Sequence, residues 1–379
     1  MKNDTMKKIC WVTPDCFADC DIPYVPTLSR EFFIHWIVLL PKNNSRYKTD
    51  DFIKYDFANL KVTVIEQKRR ERNPLKFLDF LKINNIIKGD NPDLVYFNVI
   101  PVCPSILPLY WMLPKDKTIV TAHQGNVHAG MNKKIINKIL RRLTYGTVKY
   151  VNMFSDYQVE LFKRTFPSPE IFRIFLGLKD FGCPESKRNL YEKKVRFLSF
   201  GIINYAKNID LLIEATNILY NKGIDNFIVS INGSCANWSF YQKKIKYPEA
   251  FELDIRMIAN EEIADLYEKS HFFVQPYRVV SQSGPMKIAF NYNLPDIVSD
   301  QRGLLDEIRE NVNGFSFKTG DAEDLARVMC NCINLYCDTE KYDLFLGKMK
   351  QYTRQKYSHE SICSEYVRMF NKVIGYHKK

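Results

Sequence analysis

The chain has 379 residues, 46% hydrophobic and 26% charged, with 55 Lys and Arg against 43 Asp and Glu. These are the proportions of a soluble globular protein of about two to three domains, and no run of about 18 uncharged apolar residues is present to span a membrane. The net charge of +12 points to anionic partners, either anionic lipid or anionic small molecules, since no nucleic-acid-binding signature is present.

The chain starts MKNDTMKKICWVTPDC, whose short apolar run meets Pro14 and Asp15. That is a first strand and not a signal peptide, so a cytoplasmic protein is expected. IPYVPTLSREFF reads as a Pro-initiated helix, HWIVLLP as a second strand and LKVTVIE as a third. PLKFLDFLKINNIIK has helical spacing and is expected to end at Gly89. DLVYFNVI, KTIVTAH and KYVNMFS supply strands four to six, with helical segments between them. Short apolar runs separated by helices indicate βαβ units and a parallel sheet.

Residues 178–194, LKDFGCPESKRNLYEKK, are polar and contain Gly182 and Pro184, the composition of an interdomain linker. The alternation then restarts with VRFLSFG, NIDLLIEATNILYNKG closed by Gly223, and NFIVSING. EEIADLYEKS, HFFVQPY, PMKIAFNYN and DIVSD follow, and DAEDLARVMCNCINLY opens with an Asp cap and an acidic first turn. The expected architecture is α/β: two Rossmann-like domains facing each other across a cleft. The first covers 1–180, the second 195–360, and a C-terminal helix in 361–379 returns to the first. Ligands of such sheets sit at the C-terminal ends of strands.

The basic charge gathers in 66–82 (EQKRRERNPLKFLDFLK) and 132–150 (NKKIINKILRRLTYGTVKY). In the second segment, Lys133, Lys134, Lys138, Arg141 and Arg142 alternate with Ile135, Ile136, Ile139, Leu140 and Leu143. Two solvated helix faces explain the pattern, and so does a patch for an anionic membrane surface. The ten cysteines are scattered, and neither Cys16/Cys20 nor Cys330/Cys332/Cys337 has histidines at zinc-finger spacing. Free thiols are expected, with a metal site as the alternative.

From VRFLSFGIINYAKNIDLLIEA through HFFVQPYRVVSQSGPMKIAFNYNLPDIVSDQRGLLDEIRENVNGFSFKTGDAEDLA, the sequence resembles a family 4 glycosyltransferase of the two-domain GT-B fold. The order of parts agrees over most of 195–365. In the first half TAHQGNVHAG resembles the family's Thr-x-His loop, and YSHESICSEYVRMFNKVIGY resembles its closing helices. The resemblance implies transfer of a sugar from a nucleotide-diphosphate donor bound by the second domain. The acceptor, a glycan or a lipid-diphosphate-linked one, would lie against the first, in surface polysaccharide synthesis. Retention is implied, with no obligatory metal and no cofactor beyond the nucleotide-sugar substrate.

Departure of a nucleoside diphosphate calls for positive charge and backbone N–H groups at the leaving oxygen. By resemblance Lys207 is aimed at the diphosphate, while Ile202 holds the slot where relatives carry arginine; Arg278 or Arg302 is the candidate second cation. Ser281, Gln282, Ser283 and Gly284 precede a helix that Pro285 can open, so free N–H groups and hydroxyls there suit phosphate. The paired glutamates of many relatives fall near Val280 and Ile288, a divergent branch in which Asp306 or Glu307 is left to hold the ribose. Gly201, Asn204 and Gly233, at strand ends, are expected to line the donor site. His123 is placed at the sugar–acceptor junction as a catalytic group, with His128 and Asp15 on the acceptor side. Asp19-Cys20-Asp21 imitates the metal-binding Asp-x-Asp of the other glycosyltransferase fold. The alternatives are a non-catalytic nucleotide-sugar-binding homologue or partner subunit, motivated by the absent glutamates and Ile202, and a sugar-nucleotide epimerase, for which no acid/base carboxylates are located.

Overall fold

The computed structural model describes residues 6–42, 45, 47–69, 73–98, 104–125, 134–185, 188 and 192–376. The chain divides into two compact units, Met1–Leu176 with His359–Lys379, and Gly177–Ser358. In the first unit β1 (Lys8–Pro14), β2 (Phe33–Pro41), β3 (Leu60–Gln67), β4 (Leu94–Phe97), β5 (Thr118–Thr121), β6 (Tyr150–Met153) and β7 (Glu170–Arg173) pair in parallel, ordered β3-β2-β1-β4-β5-β6-β7. The order reverses at β1, and a parallel sheet opens a ligand crevice at such a point, beyond the C-terminal strand ends.

The central strands β1, β2 and β4 are mostly apolar and buried because both faces of the sheet are covered there. Alternation divides β1 between two cores. Ile9 and Trp11 join Tyr366 and Phe370 of the His359–Tyr376 helix. Cys10 and Val12 join Ile83 and Ile87 of the Phe77–Asp90 helix and Tyr110 of the Leu107–Met112 helix. The Trp11 ring lies 5.3 Å from that of Tyr366 and 5.8 Å from that of Phe370.

The second unit repeats the plan with β8 (Val195–Phe200), β9 (Phe227–Asn232), β10 (Phe251–Asp254), β11 (Phe272–Gln275), β12 (Asp296–Ser299) and β13 (Gly314–Phe317), all parallel in the order β10-β9-β8-β11-β12-β13. Its reversal lies between β8 and β11. On one face Leu198 and Phe273 pack with Ile263 and Tyr267 of the Asn260–Glu268 helix and Ile288 of the Gly284–Asn291 helix.

Four sequence expectations change. Pro23 and Pro26 lack the N–H that a continuous helix needs, so IPYVPTLSREFF contains only the turn Val25–Leu28 after a separate Ala18–Asp21. The Phe77–Asp90 helix passes through Gly89 and stops at Asn91, which takes φ 42° and donates its N–H to Ile87 O at 3.0 Å. The edge strands β7 (EIFR) and β10 (FELD) carry charge and stay partly exposed, so they lack the buried apolar run that marks four-residue strands such as β4 and β11. Residues of the linker-like 178–194 pack within the second unit: Phe181 N–H donates to Tyr292 Oη at 3.0 Å, and the Arg188 guanidinium donates to the carbonyls of Tyr292 and Asn293 at 2.9 and 3.0 Å.

Candidate functional site

In the second unit the ends of β8 and β9 meet through main chain. Gly201 has φ 115° and donates to Asn232 O at 3.0 Å; Gly233 has φ 144° and donates to Asp254 O at 2.9 Å. A β-carbon on Gly233 would stand 2.0 Å from Gly201 O, so only glycine lets the two turns touch. Ile202 projects outward and is exposed. Asn204 spends its side chain on the turn that follows: its Oδ1 accepts from the N–H groups of Ala206 (3.0 Å) and Lys207 (3.2 Å).

That turn presents Lys207, half-buried, with its ammonium donating to Tyr277 Oη and lying 3.8 Å from the Tyr277 ring centroid. Burial pushes the Lys207 pKa down to about 8, so near neutrality it is a proton-bearing cation with little water around it. Burial also pushes the Tyr277 hydroxyl pKa up. Ser283 is the N-cap of the Gly284–Asn291 helix, accepting from Met286 N–H at 3.3 Å and donating to Gln275 Oε1. Gln275 Nε2 in turn donates to Asp296 Oδ1 at 2.8 Å, at the ends of β11 and β12. The Ser283 hydroxyl is therefore occupied inside the protein and is not offered to a ligand. The loop's main-chain N–H groups, with Gly284 at the first helical position and Pro285 at the second, are what it can present. Ser281 and Gln282 are half-buried, and Gln282 Oε1 is a buried atom without a partner among the described residues. A β-carbon on Gly303 would stand 2.5 Å from Val280 O and 2.8 Å from Ser281 O, so this glycine sets how closely the loop is approached.

Two expected roles are corrected. The Arg278 guanidinium pairs with Asp210 Oδ2 at 2.7 Å, donates to Tyr205 O at 2.8 Å and covers the Tyr205 ring, while its N–H bonds Ala206 O at 2.9 Å. It shares Asp210 with Lys244, whose Nζ lies 3.5 Å from the same oxygen, and it holds the Lys207 turn against the end of β11. Glu307, 1% exposed, is paired with the fully buried Lys287; a carboxylate so enclosed is not available to ribose. A cation that composition had assigned to the linker takes a place at the loop: Lys179 Nζ lies 3.4 Å from where a β-carbon of Gly284 would sit, and Lys179 N–H donates to Lys287 O at 3.3 Å. Nothing in the local sequence around Lys179 signals this, because the contact is made through the fold.

The first unit has its own cluster beyond β1, β4 and β5. His123, 7% exposed, stacks on Phe17 with ring centroids 3.7 Å apart and an interplanar angle of 3°, and meets Phe154 at 4.8 Å. Its Nε2 lies 2.8 Å from Asn98 Oδ1. Asp15 is half-buried in the turn Asp15–Phe17 directly after β1. His128 lies outside the described residues. Asp21, which the sequence pairs with Asp19 as a metal-binding motif, instead points into the core and is hydrogen-bonded to Trp11, Thr13 and Asn98. Desolvation raises its carboxyl pKa to about 6 despite those three donors.

Residues 185–343 match the family Glycosyl transferases group 1. A glycogen synthase of Alkaliphilus metalliredigens is 27% identical over 144 residues, 36% of this chain but only 30% of the synthase's own length. A glycosyltransferase structure from Rickettsia africae ESF-5 superposes with a TM-score of 0.72 at 16% identity, covering 98% of this chain and 99% of that one. Anabaena HepE, crystallised with UDP and glucose, gives 0.71 at 14% identity over 97% and 100% of the two chains. The chain thus has the two-unit Rossmann-like fold of GT-B glycosyltransferases, and the similarity to the group 1 family falls on the second unit.

Proposed function

We propose that the chain is a family 4-type glycosyltransferase that moves a sugar from a nucleotide-diphosphate donor to a glycan or lipid-linked acceptor, as in surface polysaccharide synthesis. The observation that carries this reading is the partly desolvated Lys207 ammonium held on Tyr277, in the same unit as the Ser283-capped N-terminus of the Gly284–Asn291 helix. An ammonium and outward main-chain N–H groups, with the enclosed carboxylates Asp296 and Glu307 already hydrogen-bonded or paired, suit a departing diphosphate. Lys207 and the loop stabilise the leaving phosphates; Lys179 adds charge beside Gly284. The reaction retains anomeric configuration through attack on the face the phosphate leaves, with the phosphate taking the acceptor proton, and needs no metal.

The acceptor side is the first unit, at an anionic membrane surface. Apolar side chains there face outward: Leu75 and Phe77 at the head of the Phe77–Asp90 helix, Trp111 and Met112 of Leu107–Met112, and Ile135 and Ile139 of Lys134–Tyr145. These helices are neighbours, the second packing on the other two, and Trp111 Nε1–H donates to Leu143 O at 3.3 Å. Lys82, Lys115, Lys138 and Arg142 are exposed among them. Arg141 is not part of that face, because its guanidinium donates inward to the carbonyls of Gln124 and Gly125.

The test is a thermal-shift series with UDP, GDP, ADP and their glucose conjugates, followed by turnover assays with the one that binds. Binding should raise the midpoint, and Lys207→Ala should remove most of that rise and reduce turnover by about 100-fold. Tight binding with no turnover on any acceptor would instead make the chain a non-catalytic nucleotide-sugar binder.

A further inference from the structure

The polar groups beneath His123 form a chain whose direction is fixed at its far end. Indole nitrogens only donate. Trp36 Nε1–H donates to Thr13 Oγ1 at 2.9 Å, so the Thr13 hydrogen is directed onward to Asp21 Oδ2 at 2.6 Å. Trp11 Nε1–H donates to the same oxygen at 3.0 Å. The remaining contacts of Asp21 are to Asn98 Nδ2, at 2.9 and 3.1 Å, and a carboxylate can only accept. The Asn98 amide is thereby oriented with its NH2 group on Asp21 and its oxygen on the other side. That oxygen receives Thr121 Oγ1 at 2.9 Å and His123 Nε2 at 2.8 Å. All the groups of this chain are buried, so water does not reverse any link at low cost.

We infer that Asp21 and Asn98 are positioning residues that hold His123 with its proton on Nε2. A neutral ring held this way carries its lone pair on Nδ1, so a hydrogen bond between that atom and a sugar or acceptor hydroxyl is one that His123 accepts. The stack on Phe17 fixes the ring plane, and the Asn98 oxygen fixes its rotation about that stack. Neither residue touches the reacting atoms in this account; both act through the imidazole.

The assignment of chemistry to His123 rests on the transferase reading, but the proton position does not, and it is measurable by itself. Long-range 15N–1H spectra of histidine-labelled full-length protein, with His123 assigned by its loss in His123→Gln, should show the Nε2–H tautomer. An Nδ1–H pattern in the unaltered protein would overturn the inference without any variant. Asp21→Asn is nearly isosteric, and its amide oxygen can still accept from Trp11 and Thr13. Its NH2 group then faces Asn98, which must turn its oxygen inward and its own NH2 toward His123 Nε2. His123 should switch to the Nδ1–H tautomer in a protein that keeps its circular dichroism and its nucleotide binding. A folded Asp21→Asn protein that retains the Nε2–H signature would overturn the inference. Where turnover is measurable, kcat should fall by about tenfold or more while KM for the donor stays within about twofold; a switched tautomer with unchanged kcat would remove the positioning role. Absence of turnover in the unaltered protein would count against the transferase reading alone, since the spectra stand apart from it.

Discussion

Lys207 shows what a desolvated cation does to the pH response of a site. Its pKa of about 8, below the usual 10.5, means that the free protein holds the ammonium only up to that pH. An anion bound beside it favours the charged form and lifts the pKa back. Affinity for a nucleoside diphosphate should therefore be flat below pH 8 and weaken by up to about tenfold per unit above it. Fold stability has the opposite slope. Between about 8 and 10.5 the unfolded chain binds the extra proton, so the unliganded protein gains stability as pH rises across that window. Titration calorimetry from pH 7 to 9.5 checks the first slope, and Lys207→Ala should flatten it. Affinity that is unchanged at pH 9.5 would place the phosphates elsewhere. Arg278 makes a useful contrast. Its sequence position beside the loop points to a phosphate ligand, yet its guanidinium is engaged by Asp210, sixty-eight residues earlier in the chain. Only the fold could reveal that partner.

The Gly284–Asn291 helix is short, eight residues, so its place depends on its first turn and on what that turn is tied to. Ser283→Ala removes the cap, at a cost of about 1 kcal/mol, and leaves the buried Gln275 Oε1 without its donor, about 1–3 kcal/mol more. Amides of this helix should then exchange at least about fivefold faster, while those of β1 and β2 in the other unit keep their rates. Equal exchange in variant and parent would mean that packing of Met286 and Ile288 alone secures the loop. The sequence made this element legible: Ser, Gly, Pro and a following apolar run are start signals with local causes. Long buried strands such as β1, β2 and β8 were readable for the same reason. The strand β10 was not, since it is defined by its pairing with β9, and the stop at Asn91 was hidden by Gly89, the more usual terminator two residues earlier. The site divides the same way. Lys207 and the loop are adjacent to punctuating residues. Tyr277, Lys179 and the Asp21–Asn98 chain become visible only when strand ends from distant positions lie side by side.

A net charge of +12 spread over 379 residues does not by itself specify a partner, and the proposed membrane contact turns on how charge and apolar side chains are distributed on the first unit. Most helices of a parallel α/β protein turn their apolar stripe to the sheet. The Lys134–Tyr145 helix buries Leu140 and leaves Ile135 at 75%, Ile139 at 53% and Leu143 at 41% exposure, beside Trp111 at 52%. An outward apolar stripe flanked by lysine and arginine matches a bilayer whose headgroups are negative and whose acyl region accepts the isoleucines. Each basic residue near such a surface contributes about 1 kcal/mol and each inserted aliphatic about 1.5–3 kcal/mol, the first screened by salt and the second not. The protein should float with vesicles containing phosphatidylglycerol and not with pure phosphatidylcholine, and flotation should decline as salt rises from about 0.1 to 0.5 M. The double variant Ile135→Glu, Ile139→Glu removes two aliphatics and adds two repelled charges, so membrane affinity should drop more than about 100-fold while nucleotide binding is unaffected. Flotation indifferent to lipid charge would reject the membrane as the partner. So would a dimer in solution that the same double variant converts to monomer, because the apolar face would then be covered by a second copy of the chain.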